Sequence, residues 1–315
     1  MKHFITLADL PNFEQTLDLA MDLKKNPTKS YGLGKDKTLG LLFFNPSLRT
    51  RLSTQKAAQN LGLPTMVMNF SQESWALEFE DGNKMSGLRS EHVKEAAAVV
   101  SQYCDMVAIR AFASLSDKEK DEAEIVLRSF AKYASIPIIN MESATAHPLQ
   151  ALADAITIEE FKPKYKPKVV LSWAPHPKAL PHAVGNSFTQ MMKHMDADFI
   201  IAHPEGYALN PIITEGIECM TDQEKAIKGA DFIYTKNWCS YDHYGQILKT
   251  DDQWMITPDK MELTNNGKFM HCLPIRRNIV ATDGVLDSPR SLVIQQSQNR
   301  IYSAQAVLKQ FLENG

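Results

Sequence analysis

The chain has 315 residues, 44% of them hydrophobic and 23% charged, an ordinary globular composition on a length that suits two domains of about 150 residues each. Its 34 basic and 37 acidic residues leave a net charge of −3, which excludes the basic footprint of a nucleic-acid binder and a polybasic membrane anchor. The four cysteines, Cys104, Cys219, Cys239 and Cys272, form no C-x-x-C pair, and neither an internal repeat nor an apolar run long enough for a membrane span or a signal segment is present, so a reduced, cytoplasmic enzyme is expected.

Asn12 reads as the cap of a helix through Leu17, Leu19, Ala20 and Leu23 that closes at Asn26-Pro27. Residues 38–44 are apolar without polar alternation, as a buried parallel strand is. Asn45-Pro46-Ser47-Leu48-Arg49-Thr50-Arg51 then turns the chain into a helix over 53–61. Pro46 disfavours helix before it and Ser47 is a good N-cap, so the amides that follow point outward at a helix end that favours anions. Arg49 adds a planar fork suited to a tetrahedral oxyanion and Thr50 a hydroxyl donor. The turn therefore reads as a phosphate site, against the plainer reading of a capped surface helix with solvated arginines.

A second strand at 65–70 makes the order strand, helix, strand, the start of a parallel sheet. Residues 71–91 are polar, contain Gly82 and Gly87, and read as one long loop, with Trp75 taken on its own as an edge-of-core aromatic. A helix over 91–103, with Val93, Ala96, Ala97, Val99 and Val100 inward, leads to a strand at 106–109. Arg110 stands at that strand's carboxyl end, where open α/β sheets place ligands. A charged amphipathic helix over 117–134 and a strand at 136–140 follow, delivering Glu142 and then His147-Pro148-Leu149-Gln150. Pro148 suits the first turn of a helix reaching Phe161, which sets His147 at its positive end, where a neutral imidazole that donates a hydrogen bond is favoured.

A second α/β unit begins around Lys162, with a linker at 162–167 and a strand at 168–173. Residues 174–182, with His176 among three prolines, are too proline-rich for helix or strand and form a rigid exposed loop. A helix at 186–195 and strands at 199–202 and 230–235 precede Lys236-Asn237-Trp238. His271-Cys272-Leu273-Pro274 ends a further strand, where Cys272 alone would read as a small buried hydrophobe. Arg276 follows as a partner for a carboxylate, and Arg277 is either partner or surface. Asn299-Arg300 heads a C-terminal helix through Ala304, Val307, Leu308 and Phe311. No nucleotide-binding glycine motif follows a predicted strand, and no metal-ligand cluster is evident.

Ser-x-Arg-Thr-Arg after Phe-x-x-Pro resembles the carbamoyl phosphate signature of the aspartate and ornithine carbamoyltransferase family, and His147-Pro148-Leu149-Gln150 resembles its His-Pro-x-Gln motif. Trp173-Ala174-Pro175-His176-Pro177, His271-Cys272-Leu273-Pro274, and Lys236-Asn237-Trp238 in place of the Ser-Met-Gly loop of ordinary ornithine enzymes are similar to the N-acylornithine branch. The resemblance spans Phe44 to about Leu312. It implies two doubly wound parallel-sheet α/β domains with the active site between them: residues 1–150, with a C-terminal helix at 300–314 packing back, for carbamoyl phosphate, and 151–299 for the acylornithine. It also implies a homotrimer, and a trefoil knot in which the proline-rich loop encloses a later segment.

The implied reaction moves the carbamoyl group of carbamoyl phosphate to the δ-amine of N-succinyl-L-ornithine, giving N-succinyl-L-citrulline and phosphate, in arginine biosynthesis. N-acetylornithine is the alternative acceptor, ornithine and aspartate more distant ones, and a catalytically silent ligand-binding protein the alternative class. By resemblance, carbamoyl phosphate falls to Ser47, Leu48, Arg49, Thr50, Arg110, His147, Pro148, Leu149, Gln150, Cys272, Leu273 and Arg300, with Trp75 donated by a neighbouring subunit. Arg49, Thr50, Arg110, His147, Gln150 and Cys272 form the catalytic set, in which Arg110 polarises the carbamoyl oxygen while Cys272 and the Leu273 carbonyl orient the amine. Glu142, His176, Lys236 and Arg276 hold the acylornithine. Ser90, before Glu91-His92, takes the position where an acidic residue accompanies acetylornithine; a neutral side chain leaves room for the succinyl carboxylate. No cofactor and no metal is implied, since the leaving phosphate can accept the amine's proton.

Overall fold

The apolar run after Thr38 forms strand β1 (Leu39–Phe43), buried at every position, in a computed structural model that describes residues 1–248 and 252–314. It belongs to a unit made of Met1–Ser114, Glu119–Leu149 and Arg300–Gly315. The other strands of this unit are β2 (Thr65–Asn69), β3 (Leu77–Glu78), β4 (Glu91–His92), β5 (Met106–Arg110) and β6 (Ile138–Glu142). The main sheet has the order β2-β1-β5-β6 with all pairs parallel, as expected for apolar strands without alternation. Phe44, Phe70 and Phe130 anchor the core beneath it, the first two rings stacked at 4.5 Å.

Several expectations shift. The loop over 71–91 contains a helical turn, Phe70–Glu73, and the parallel pair β3–β4. Val99 is exposed, because the inward stripe of helix Val93–Tyr103 is Val93, Ala96 and Ala97. The charged helix over 117–134 breaks into Lys118–Glu122 and Ile125–Tyr133 at Glu124, whose φ of +51° no α-helix accommodates. The C-terminal helix runs over Val293–Asn314, so Arg300 lies about two turns inside it and not at its head.

The second unit comprises Leu115–Lys118 and Gln150–Asn299. Its strands are β7 (Lys168–Trp173), β8 (Asp198–Ala202), β9 (Glu218–Met220), β10 (Phe232–Lys236) and β11 (Lys268–Met270), in the order β11-β10-β7-β8-β9, again all parallel. Strand β9 escapes sequence reading because it is a three-residue edge whose Glu218 and Cys219 are exposed. The helix after the proline-rich loop is Ala183–Met192, starting right after Pro181-His182 and earlier than its apolar pattern indicates.

Each sheet reverses direction once, the doubly wound arrangement. In the first, β2 lies on one side of β1 and β5 on the other; in the second, β8 and β10 flank β7. Such switch points leave a crevice at the carboxyl ends of the strands. At the first, Phe43 is in register with Arg110; at the second, Trp173 is in register with Lys236.

Candidate active site

In the first unit the chain leaves β1 through Asn45-Pro46-Ser47-Leu48 and enters helix Arg49–Asn60. The N-cap is Leu48, with α-region backbone, one residue later than expected; Ser47 still contributes, its Oγ accepting the Thr50 N–H at 3.2 Å. The Leu48 side chain is exposed, so what this residue offers an anion is its backbone amide. Arg110 is buried and ties the turn to β6. Its Nη1 donates to the carbonyls of Asn45 (3.0 Å) and Pro46 (2.7 Å), while Nε and Nη2 lie 3.2 and 3.1 Å from Glu142 Oε2. Phe112 packs against the guanidinium, 4.0 Å from ring centroid to Cζ. His147 Nε2 stands 3.5 Å from the same Glu142 oxygen. From the C-terminal helix, buried Arg300 donates Nη2 to Thr50 Oγ1 at 2.6 Å. Ser47, Thr50, Arg110, Glu142, His147 and Arg300 are thus linked around one turn, with Arg49 opening its helix, and the sum is strongly cationic at a helix start.

The loop that presents His147 is held by a residue that sequence reading misses. Glu124, buried at the helix break, accepts from Ser143 Oγ (2.7 Å), Thr145 N (2.8 Å), Thr145 Oγ1 (2.6 Å) and Ala144 N (3.3 Å). An acid inside a charged amphipathic stretch carries no local signal of such a task.

Trp75 and Ser90 share the exposed segment around β3–β4. Trp75 is 56% exposed and donates Nε1 to Glu91 Oε2 at 2.8 Å, and Ser90 N–H donates to Ala76 O at 3.3 Å. Glu78 knits this segment, accepting from Phe79 N, Glu80 N, Asn83 Nδ2 and Arg89 Nη1. The amide of Glu80 foremost, with these other donors, holds its carboxyl at about 2.

In the second unit, the loop over 174–182 follows β7 and packs on the residues after β10. Asn237 Nδ2 donates to Ala174 O (2.8 Å), Trp173 Nε1 to Trp238 O (2.9 Å), and Cys239 N to Leu180 O (2.9 Å). Lys236 is buried at the end of β10, its Nζ 3.0 Å from Asn237 O. His176 donates Nδ1–H to Lys178 O (2.8 Å) and accepts from Arg276 Nε at Nε2 (3.2 Å), the tautomer this network requires. Burial lowers its pKa, and the charges of Lys236, Arg276 and Lys178 push the same way, so the imidazole is neutral in a cationic setting. Arg277 is surface: it pairs with Asp283 and Asp287. Gln150 donates Nε2 to Asp154 at 2.7 Å, Cys272 is buried, and Leu273 holds a φ of +55° with its N–H on His271 Nδ1 at 2.8 Å. A left-handed leucine costs on the order of 1–3 kcal/mol and marks a constrained loop. Among the described residues, no group of three or more His, Cys, Asp or Glu could hold a metal ion, and no helix is long and apolar enough to cross a membrane.

Residues 2–160 match the aspartate/ornithine carbamoyltransferase carbamoyl-P binding domain, and residues 182–311 match that family's Asp/Orn binding domain. The chain belongs to the aspartate/ornithine carbamoyltransferase family. This carbamoyltransferase is 49% identical over 315 residues to the N-succinylornithine carbamoyltransferase of Bacteroides thetaiotaomicron, covering 99% of each chain. It is 36% identical to the N-acetylornithine carbamoyltransferase of Xanthomonas axonopodis pv. citri, over 98% of this chain and 96% of that one. Among solved structures, acetylornithine transcarbamylase complexed with acetylcitrulline matches with a TM-score of 0.93 at 36% identity, over 99% of both chains. An N-acetyl-L-ornithine transcarbamylase mutant with one glutamate replaced by serine, complexed with carbamyl phosphate and N-succinyl-L-norvaline, matches with a TM-score of 0.92 at 36% identity, over 98% of this chain and 99% of that one. The expected pair of parallel-sheet α/β units is therefore the fold of this carbamoyltransferase.

Proposed function

We propose that this carbamoyltransferase acts on N-succinyl-L-ornithine in the cytoplasm, in arginine biosynthesis. The δ-amine attacks the carbonyl carbon of carbamoyl phosphate, the bond from that carbon to the phosphate oxygen breaks, and the departing phosphate takes the amine's proton, leaving N-succinyl-L-citrulline. The observation that carries the reaction class is the tie of Thr50, Arg110 and Arg300, far apart in sequence, to one helix-start turn. In this reading Ser47, the Leu48 amide, Arg49, Thr50 and Arg300 hold the phosphate, and Arg110 and His147 hold the carbamoyl oxygen as negative charge grows on it. The 147–150 segment, with Gln150, and Cys272 with the Leu273 carbonyl orient the carbamoyl group and the amine. Residues 1–150 with the C-terminal helix supply the first task and 151–299 the second.

The acyl group rests on separate support. Ser90 is neutral where the resemblance expects an acid for acetylornithine, and neutral His176, with Arg276 against it and the charge of Lys236 felt there, is a setting for carboxylates; Glu142 is assigned to the acylornithine by the resemblance. An assay with N-succinylornithine, N-acetylornithine, ornithine and aspartate as acceptors tests both levels. Fastest turnover of N-succinylornithine is expected; faster N-acetylornithine would overturn the acyl assignment, and no carbamoylation of any acceptor the reaction class. We further read the chain as a homotrimer that lends Trp75 to a neighbouring site, supported by the exposure of Trp75, Leu52, Met66 and Met68, and testable by sedimentation. A trefoil knot with the proline-rich loop around a later segment is the resemblance's expectation, and that loop's bonds to Asn237 and Cys239 are in keeping with it.

A further inference from the structure

One helical turn beyond Gln150, on helix Pro148–Phe161, lies Asp154, fully buried. Its Oδ1 accepts from Gln150 Nε2 at 2.7 Å and from Gln296 Nε2 at 2.6 Å. Gln296, also fully buried, takes the His271 N–H on its Oε1 at 2.9 Å, and His271 Nδ1 takes the Leu273 N–H at 2.8 Å. One carboxylate oxygen therefore connects the glutamine of the His-Pro-x-Gln motif to the 271–274 loop through a single intervening side chain. A buried acid is a costly way to pack a helix, which an apolar residue of similar volume would do better.

We propose that Asp154 is a positioning residue for carbamoyl transfer, fixing which end of the Gln150 amide meets the substrate and holding the Cys272 and Leu273 loop in step with it. The proposal rests on the carbamoyl-transfer reading. An oxygen that takes two amide N–H groups can only accept, so Gln150 must turn its NH₂ to Asp154 and present its carbonyl oxygen. That atom, Gln150 Oε1, is buried and lacks a hydrogen-bond partner among the described residues. The NH₂ of a carbamoyl group is a donor and fits it; a flipped amide would set NH₂ against NH₂, where no bond forms. Tyr234 adds a donor nearby: full burial, then the neighbouring Asp154 and Cys272, drive its phenol pKa upward and keep the proton on. Both Oδ1 contacts are to protein amides, so in this reading Asp154 acts through Gln150 and Gln296 and is a positioning residue.

The test compares Asp154→Asn, Gln150→Ala, the double variant and Gln296→Met, reading kcat and KM for carbamoyl phosphate beside inhibition by inorganic phosphate, which engages the phosphate groups alone. Asparagine keeps the shape but can itself flip, releasing the constraint on Gln150. Expected for Asp154→Asn is a fall of about tenfold or more in kcat/KM for carbamoyl phosphate, with the phosphate inhibition constant unchanged within about twofold. Adding Asp154→Asn to Gln150→Ala should then cost less than Asp154→Asn costs in the parent protein, the remainder being the share that passes through Gln296 to the loop. Multiplying losses in the double variant, phosphate inhibition weakening in parallel, or unchanged kinetics overturn the proposal. If Asp154→Asn does not fold, Gln296→Met asks the question from the loop side: kcat falls with phosphate inhibition intact, and an unchanged kcat overturns it. An unmodified protein that carbamoylates no acceptor removes the functional reading itself, whereas an active protein with independent losses removes only the role of Asp154.

Discussion

Replacing Arg110 by methionine separates the two jobs its guanidinium does. The side chain is buried, and it supplies Glu142 with two contacts, at 3.2 and 3.1 Å, while His147 remains 3.5 Å from that carboxylate. Methionine fills the volume but leaves Glu142 without its guanidinium, and breaking a buried pair from one side costs about 3–5 kcal/mol. The carbonyls of Asn45 and Pro46 also lose a donor, but Pro46 is exposed and water can replace it there, so the low end of that range, about 3 kcal/mol, is expected. In the proposed mechanism catalysis also loses a preorganised donor to the carbamoyl oxygen, about 10²–10³ in kcat. The double variant Arg110→Met with Glu142→Gln removes the stranded charge. It should recover most of the stability and none of the turnover. Urea unfolding at fixed protein concentration, read beside steady-state kinetics, checks both. Recovery of kcat in the double variant would refute a direct role for Arg110 at the reacting group, and an unfolding midpoint unmoved in the single variant would refute the buried-pair argument.

Ser90→Glu is expected to shift the ratio of kcat/KM between N-succinylornithine and N-acetylornithine toward acetyl by about tenfold, through repulsion of the succinyl carboxylate, and a competition assay with both acceptors reads it directly. Glu124→Gln leaves a neutral side chain against four donors; a loss of about 1–3 kcal/mol and a lower kcat are expected, since the 143–147 loop loosens, and thermal unfolding with kinetics will check this. Glu78 titrates at about 2 in the folded chain against an ordinary 4.5, so its contribution is complete above 4.5 and is lost as pH falls toward 2. Pepsin cleavage within 71–91 should therefore rise between those values in the parent protein, and Glu78→Gln should flatten that dependence. Because burial and its cationic neighbours lower the pKa of His176 below 6.5, binding of N-succinyl-L-norvaline, which has the carboxylates but no δ-amine, should stay flat on acidification from pH 8 to 6.5; tighter binding over that interval would mean that the imidazole gains charge there.

What sequence reading reaches is what local signals encode. An apolar run without alternation gives β1, Pro46 and Ser47 give the turn, and Pro148 gives the helix that starts behind His147. Arg110 and Lys236 follow from strand ends, because open sheets of this class bind ligands there. Glu124 and Asp154 lie outside that reach. Each is an acid on a helix or at its break, indistinguishable by pattern from a solvated one, and its task depends on partners such as Gln296 that meet it through the fold. The cap at Leu48 instead of Ser47 is a smaller miss of the same kind, since the Ser47 hydroxyl reaches the Thr50 amide from outside the first turn.

The two sheets solve an equivalent problem with different cations, and the difference follows from what each must hold. At the first switch point the last strand residue opposite Phe43 is an arginine, and its fork serves the carbonyls of Asn45 and Pro46 and the Glu142 carboxylate at once. Only a planar group with five donors can bridge them and still face an oxyanion. At the second, the residue opposite Trp173 is a lysine whose ammonium reaches the Asn237 carbonyl and adds positive charge near His176, which also accepts from Arg276. A point charge with rotatable donors tolerates acyl ends of different reach, whereas the fork demands one fixed geometry. Under the proposed assignment, fidelity to carbamoyl phosphate would be built into the guanidinium network, and the acceptor range would be left to neighbouring groups such as Ser90, which could change without disturbing the chemistry.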